Sequence, residues 1–260
     1  MRNQILFVGL VLAWACNPKP KAPAAEQWIQ LFNGKDLTGW TVKIAGYPVD
    51  SNYMDIFNVQ DSILKVSYEK LDSFRGEFGH LYTKEKYSRY KLRVEYRFTG
   101  NQRPGGPEWA IRNSGAMLHS QSAESMGLDQ DFPVSVEAQF LGGLGEGERT
   151  TANVCTPGTD IDFNGVPVEG HCTNSTSKTY DGDQWVTVEM IVYGDSIVHH
   201  VIDGDTVITY TRLRVGPEMK PEGYPVADGT PLKEGHIALQ AESHNVEFRK
   251  VELLDLSKEE

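Results

Sequence analysis

The sequence predicts an all-β chain folded as a two-sheet antiparallel sandwich. Short runs of alternating apolar and polar residues recur along it, with Gly, Asn, Asp and Pro turn signals between them. No stretch sustains the 3.6-residue apolar period of an amphipathic helix; only residues 122–128 suggest a helical turn or two. At 260 residues the chain suits one sizeable core, because all-β sandwiches of this size commonly form one domain.

Residues 1–15 read as an export signal. Arg2 supplies the positive n-region, and residues 5–15 form an almost unbroken apolar run too short to span a bilayer. The run ends in Leu12-Ala13-Trp14-Ala15-Cys16, which resembles a bacterial lipobox, with the Leu one residue further from the Cys than usual. Cys16 is then the lipidated N-terminus; an ordinary signal peptide cut nearby is the alternative. Residues 16–27, rich in Pro, Ala and Lys, form a lipid-anchored spacer. Residues 28–254 form the sandwich, and residues 255–260 a charged tail. The expected location is the periplasm, the outer membrane or the cell surface, with membrane contact only through the lipid.

Within the sandwich, residues 28–32 read as a short strand, closed by the turn signal Asn33-Gly34-Lys35-Asp36. A strand at 41–44, a hairpin around Gln60-Asp61 and a strand at 79–83 follow. Residues 89–99 form the longest clean strand. Tyr90, Leu92, Val94, Tyr96 and Phe98 face the core, and Arg89, Lys91, Arg93, Glu95 and Arg97 face away. Glu95 and Arg97 are candidates for a binding surface, the alternative being a solvated face of alternating charge. Residues 109–143 are the centre of the chain. There Asn113, Gly115, Met117 and His119 share one strand face, and Glu137 and Gln139 project together from the next strand. Residues 142–179 are long, irregular and hold Cys155 and Cys172. Strands return at 184–193, at a hairpin across Asp203-Gly204-Asp205, and at 235–242 and 246–254.

The net charge of −11 argues against nucleic acid as a partner. With Cys16 set aside, Cys155 and Cys172 form an even pair in an exported chain, which points to a disulfide with Cα atoms about 4.4 to 6.8 Å apart. A zinc site is the weaker reading, because His171 has no second ligand at finger-like spacing. Phosphate loops, HExxH and GxSxG are absent, so the chemistry falls to carboxylates, histidines and amides. Glu137 and His119 are the best acid/base pair on offer. Asn113, Gln139, Gln240, Glu242 and His244 are candidate binding residues, and Gly115 leaves room for a close approach. Each has a structural hydrogen bond as its alternative role. Trp109, Trp185 and Tyr82 could stack on a sugar or pack in the core. No metal or cofactor is expected.

Several segments together resemble one family. Leu31-Phe32-Asn33-Gly34-Lys35-Asp36-Leu37 with Gly39-Trp40 is similar to the opening motif of the bacterial DUF1080 family, the 3-keto-disaccharide hydrolases. Further matches are YSRYKLRVEYRF at 87–98, Asn113-Ser114-Gly115, SVEAQ at 135–139, WVTVEMIV at 185–192 and IALQAESHNVEFRKV at 237–251. The resemblance implies a concanavalin A-like lectin/glucanase jelly roll, frequent lipid-anchored export, and a carbohydrate substrate. It carries Glu137 and Gln139 onto the family's Glu-x-Gln strand, Asn113 onto its Asn-Ser-Gly, and Gln240 and Glu242 onto its Leu-Gln-x-Glu/His segment. The chain departs from the family at His119, where many members carry Arg, and in the insert with the two cysteines. The implied chemistry is C2 deprotonation of a 3-keto-glycoside, loss of the C1 oxygen and rehydration, with no nicotinamide. A glycosidase with two flanking carboxylates and a non-catalytic carbohydrate-binding lipoprotein are the alternatives.

Overall fold

The computed structural model describes residues 26–257. The expected export signal, Cys16 and nearly all of the expected spacer lie outside the described residues. The strands are β1 (Trp28–Gln30), β2 (Trp40–Ile44), β3 (Phe57–Gln60), β4 (Ile63–Val66), β5 (Gly79–Thr83) and β6 (Arg89–Phe98). They continue with β7 (Asn113–Ser120), β8 (Val136–Leu141), β9 (Asn153–Cys155), β10 (Thr159–Phe163), β11 (Val166–Pro167) and β12 (Cys172–Thr173). The chain closes with β13 (Val186–Tyr193), β14 (Ile197–Ile202), β15 (Asp205–Val215), β16 (His236–Ala241) and β17 (Val246–Asp255). Among the described residues, helical structure is limited to short 3-10 turns, one of them Ala123–Ser125 within the expected segment.

The strands make the predicted two-sheet antiparallel sandwich. The ten-stranded sheet runs β11-β10-β15-β14-β13-β6-β17-β4-β3, with β1 on β17. The seven-stranded sheet runs β12-β9-β8-β7-β16-β5-β2. Local chemistry sets the turns: Asp61 and Ser62 both take positive φ (54° and 60°), as the tight β3–β4 hairpin requires. Alternation then sorts the faces. Leu92, Val94 and Tyr96 of β6 meet Leu118, Ala138 and Phe140 of β7 and β8 in one core. Tyr96 stacks on Phe140 at 4.5 Å between ring centroids, tying sheet to sheet.

The other face of β6 is a ladder of charges. Arg93 pairs with Glu189 and Glu252, Arg97 with Glu247, and Arg249 with Glu95. Arg97 and Arg249 also lie over the Trp185 ring, at 4.6 and 4.5 Å from its centroid. This corrects the reading of Glu95 and Arg97 as binding-surface residues in favour of its alternative, a face of alternating charge. They are on the outer face of the ten-stranded sheet, whereas Glu137 is on the seven-stranded one. Trp185 is likewise occupied by arginines.

Candidate active site

The outer face of the seven-stranded sheet is polar, as the alternation of β8 demands, yet it is buried. Two rows of facing residues cross it. One runs Cys172, Cys155, Glu137, Met117, Ala238, Tyr82 and Thr41. The other runs from Asn153 through Gln139 and Gly115 to Gln240, His80 and Lys43. Residues 121–133 fold over one end. Met126 and Ala123 cover Tyr82, Met117 and Ala238, and the Lys43 ammonium donates to the Leu128 carbonyl at 2.8 Å.

Beside this cover lies a cavity of about 300 Å3. Glu137, Gln139, Asn113 and Glu242 contribute polar groups, Trp109 and Phe132 one apolar wall, and Pro157, Met219, His171 and the cysteines another. Gly115 shapes the floor. A Cβ there would sit 2.4 Å from Glu137 Oε1, so only glycine lets the carboxylate lie across β7. Trp109 stays 52% exposed while stacking on Phe78, 5.8 Å between centroids.

Electrostatics single out two residues. Burial pushes the Glu137 carboxyl up to about 8. Burial also raises Glu242 well above the carboxylate range, and the nearby Glu137 charge adds to the shift. Both are almost wholly buried, and Glu242 Oε2 has no hydrogen-bond partner. Asn113 Oδ1 and Gln240 Oε1 also lack partners, which leaves acceptors for a hydroxyl-rich ligand. Gln139 differs: Asn153 Nδ2 donates to its Oε1 at 3.1 Å, so its amide N–H groups are left to donate.

A model of the 3-keto-alpha-glucoside-1,2-lyase-like domain matches residues 27–254. The chain belongs to this family. No curated protein matches it significantly. Among solved structures, a protein from Parabacteroides distasonis titled a "putative glycosyl hydrolase" is 20% identical with a TM-score of 0.53, over 90% of this chain and 96% of that one. A second from the same organism, with the same description, is 16% identical with a TM-score of 0.51, over 88% of this chain and all of the other. At these identities the likeness concerns the fold.

Of the expected site residues, Glu137, Gln139, Asn113 and Glu242 line one cavity, and Gln240 stands in the adjoining row beside His80. His119 is elsewhere, which overturns its pairing with Glu137. One extra residue on β7 between the pairs His236–Ser120 and Ala238–Met117 makes a bulge, and His119 takes a φ of 48° there. Its ring turns to the core side, 5.9 Å from the Tyr90 ring, with Nδ1 2.7 Å from the Leu232 carbonyl. Burial holds its pKa below the usual histidine range, opposed by the Leu232 and Ser88 carbonyls. His244 is also displaced. Ser243 takes a φ of 72° after β16, and His244 packs its ring 5.8 Å from Phe98 instead of joining Glu242 in the cavity.

Sequence reasoning weighed His171 only as a metal ligand, whereas the structure puts it in the cavity lining; His80 stands in the adjoining row, opposite Gln240. His80 was legible as the face-mate of Tyr82. Its imidazole is fully buried and pushed down to about 3 by burial and then by Lys43, with Nε2 unpartnered. The Cys155–Cys172 bond forms, with Cα atoms 4.1 Å apart. That is closer than the expected range, because the two residues face each other directly across β9 and β12. The sulfurs are bonded to each other, so they offer no thiolate ligands.

Proposed function

We propose that the protein is a hydrolase of 3-keto-glycosides working by elimination and rehydration. The observation that carries this is the pair Glu137 and Glu242, two buried carboxyls sharing one cavity in a family named for a 1,2-lyase. A second negative charge beside the first is costly, so near neutral pH the pair holds at least one proton, and its singly ionised state offers one acid and one base. A C3 ketone acidifies the C2 proton. The ionised carboxylate, assigned to Glu137, takes that proton, and the C2–H electrons form the enolate. The enolate collapses to a C1=C2 double bond as the C1–O bond breaks, and the proton of Glu242 goes to the leaving oxygen. Water then adds to C1 with its proton passing to Glu242, while Glu137 returns its proton to C2. Net hydrolysis results and both groups are restored. In this reading a Gln139 N–H donates to the developing C3 oxyanion, and Trp109 and Phe132 form an apolar wall against the sugar ring.

The test compares methyl 3-keto-α-glucopyranoside with its parent glucoside. Turnover should require the ketone, and the reaction in D2O should place deuterium at C2 of the product. Equal cleavage of the parent sugar without C2 exchange would sink the elimination route. Binding of sugar with no turnover of either would replace the enzyme with a carbohydrate-binding protein.

A further inference from the structure

The cavity lining contains a histidine that the acid/base pair does not use. His171 lines the cavity together with both cysteines, and a ring nitrogen lies within 4.8 Å of both sulfurs. Its backbone is pinned on two sides. The His171 carbonyl accepts from Thr156 N at 2.9 Å and from Thr156 Oγ1 at 3.2 Å. The next residue, Cys172, is bonded to Cys155, which faces Glu137 directly across β8 and β9. Despite this fixed backbone, His171 Nδ1 is buried and has no hydrogen-bond partner. A buried ring nitrogen left unmatched costs free energy unless something else satisfies it. Glu242 Oε2 and Asn113 Oδ1 of the same cavity lack protein partners in the same way.

We infer that His171 is a ligand-binding residue of this site, that its ring nitrogen bonds a hydroxyl of the bound glycoside, and that the Cys155–Cys172 bridge holds it there. The inference rests on the proposed function and deepens it, since it ties substrate affinity to the redox state of one disulfide. A neutral imidazole suits a hydroxyl because it accepts at one nitrogen and donates at the other. Burial keeps this ring neutral by lowering its pKa, against a smaller opposing effect of Glu218. The role is binding and placement, so it should appear in KM more than in kcat.

The experiment measures calorimetric binding of methyl 3-keto-α-glucopyranoside in a Glu137→Gln background, where turnover is suppressed. His171→Ala should weaken binding about five- to tenfold, the range of one neutral hydrogen bond. His171→Asn, which keeps a polar atom near the Nδ1 position, should recover part of it. Reduction with a phosphine, or the double change Cys155→Ser with Cys172→Ser, should weaken binding to a similar degree. In the otherwise wild-type enzyme the same His171 variants should raise KM with kcat within about threefold. Unchanged affinity in His171→Ala, with turnover intact in wild type, overturns the inference and leaves the proposed reaction standing. Unchanged affinity after loss of the bridge overturns the disulfide's part in it. If the Glu137→Gln and wild-type proteins neither bind nor turn over the keto-glycoside, the proposed function fails and the inference falls with it.

Discussion

Glu137 carries the largest consequence of any single residue. Its carboxyl keeps its proton up to about pH 8 when folded, against an ordinary value of 4.5. Between those two pH values the folded chain binds more protons than the unfolded one, so stability falls as pH rises through that window. The contribution is fully present below the unfolded pKa and is lost by the folded one. Glu137→Gln removes this dependence. The variant should therefore gain melting temperature over wild type as pH is raised from 5 to 8, in a thermal scan at each pH. Turnover should meanwhile drop by about 10² to 10⁴, the usual loss for a general acid or base. Activity of wild type should rise towards pH 8 as Glu137 ionises and fall when Glu242 loses its proton. A variant that keeps full activity, or wild-type stability that climbs across that window while the variant's does not, would contradict the assignment. Gly115 shows the other side of the same design: the carboxylate lies where a side chain at position 115 would stand.

At the scale of strands, period-two alternation was enough to place Glu137 and Gln139 on one face of β8, and Gln240 with Glu242 on one face of the chain through β16. It was also enough to find the core row of β6. It could not tell which sheet a strand joins, so it left open whether Glu95 and Arg97 belong to a binding surface; they lie on the opposite outer face from Glu137. Nor could it see a bulge. His119 follows Asn113, Gly115 and Met117 in strict alternation, but the inserted residue on β7 turns it to the core. The loops that fold back over the sheet were equally hidden, so His171, Phe132 and Met219 gave no signal of lining the cavity. The contrast between Glu137 and His119 gives a test. His119→Ala should lower stability, because the ring bridges the Leu232 and Ser88 carbonyls at 2.7 and 3.3 Å. Leaving such buried groups unmatched costs about 1–3 kcal/mol. Melting temperature should fall while kcat of the folded fraction stays within about threefold of wild type. A kcat loss comparable to that of Glu137→Gln, with an unchanged melting temperature, would return His119 to the chemistry.

Taken as a whole, the molecule carries a covalent cross-link in its cavity lining. The Cys155–Cys172 bridge spans a sequence separation of 17, and closing a loop of that size stabilises a fold by about 3 kcal/mol in the chain-entropy account. That gain needs an oxidising compartment. We propose that export supplies it, by way of the signal-like residues 1–15 and the lipobox-like Cys16. We propose that the mature chain begins at Cys16, carries lipid there, and holds the sandwich off the membrane on the spacer. Intact-mass measurement of the membrane fraction should show a lipidated species starting at Cys16, with the thiols of Cys155 and Cys172 absent. Cys16→Ser should move the domain to the soluble fraction with its bridge intact, because the change touches the anchor and leaves the compartment the same. A wild-type soluble species beginning at any other residue would end the anchoring proposal. Expression without residues 1–15 in a reducing cytoplasm should give the same sandwich with both thiols free and a lower melting temperature, restored on oxidation. If the reduced protein melted like the oxidised one, the bridge would not contribute to the stability of the fold.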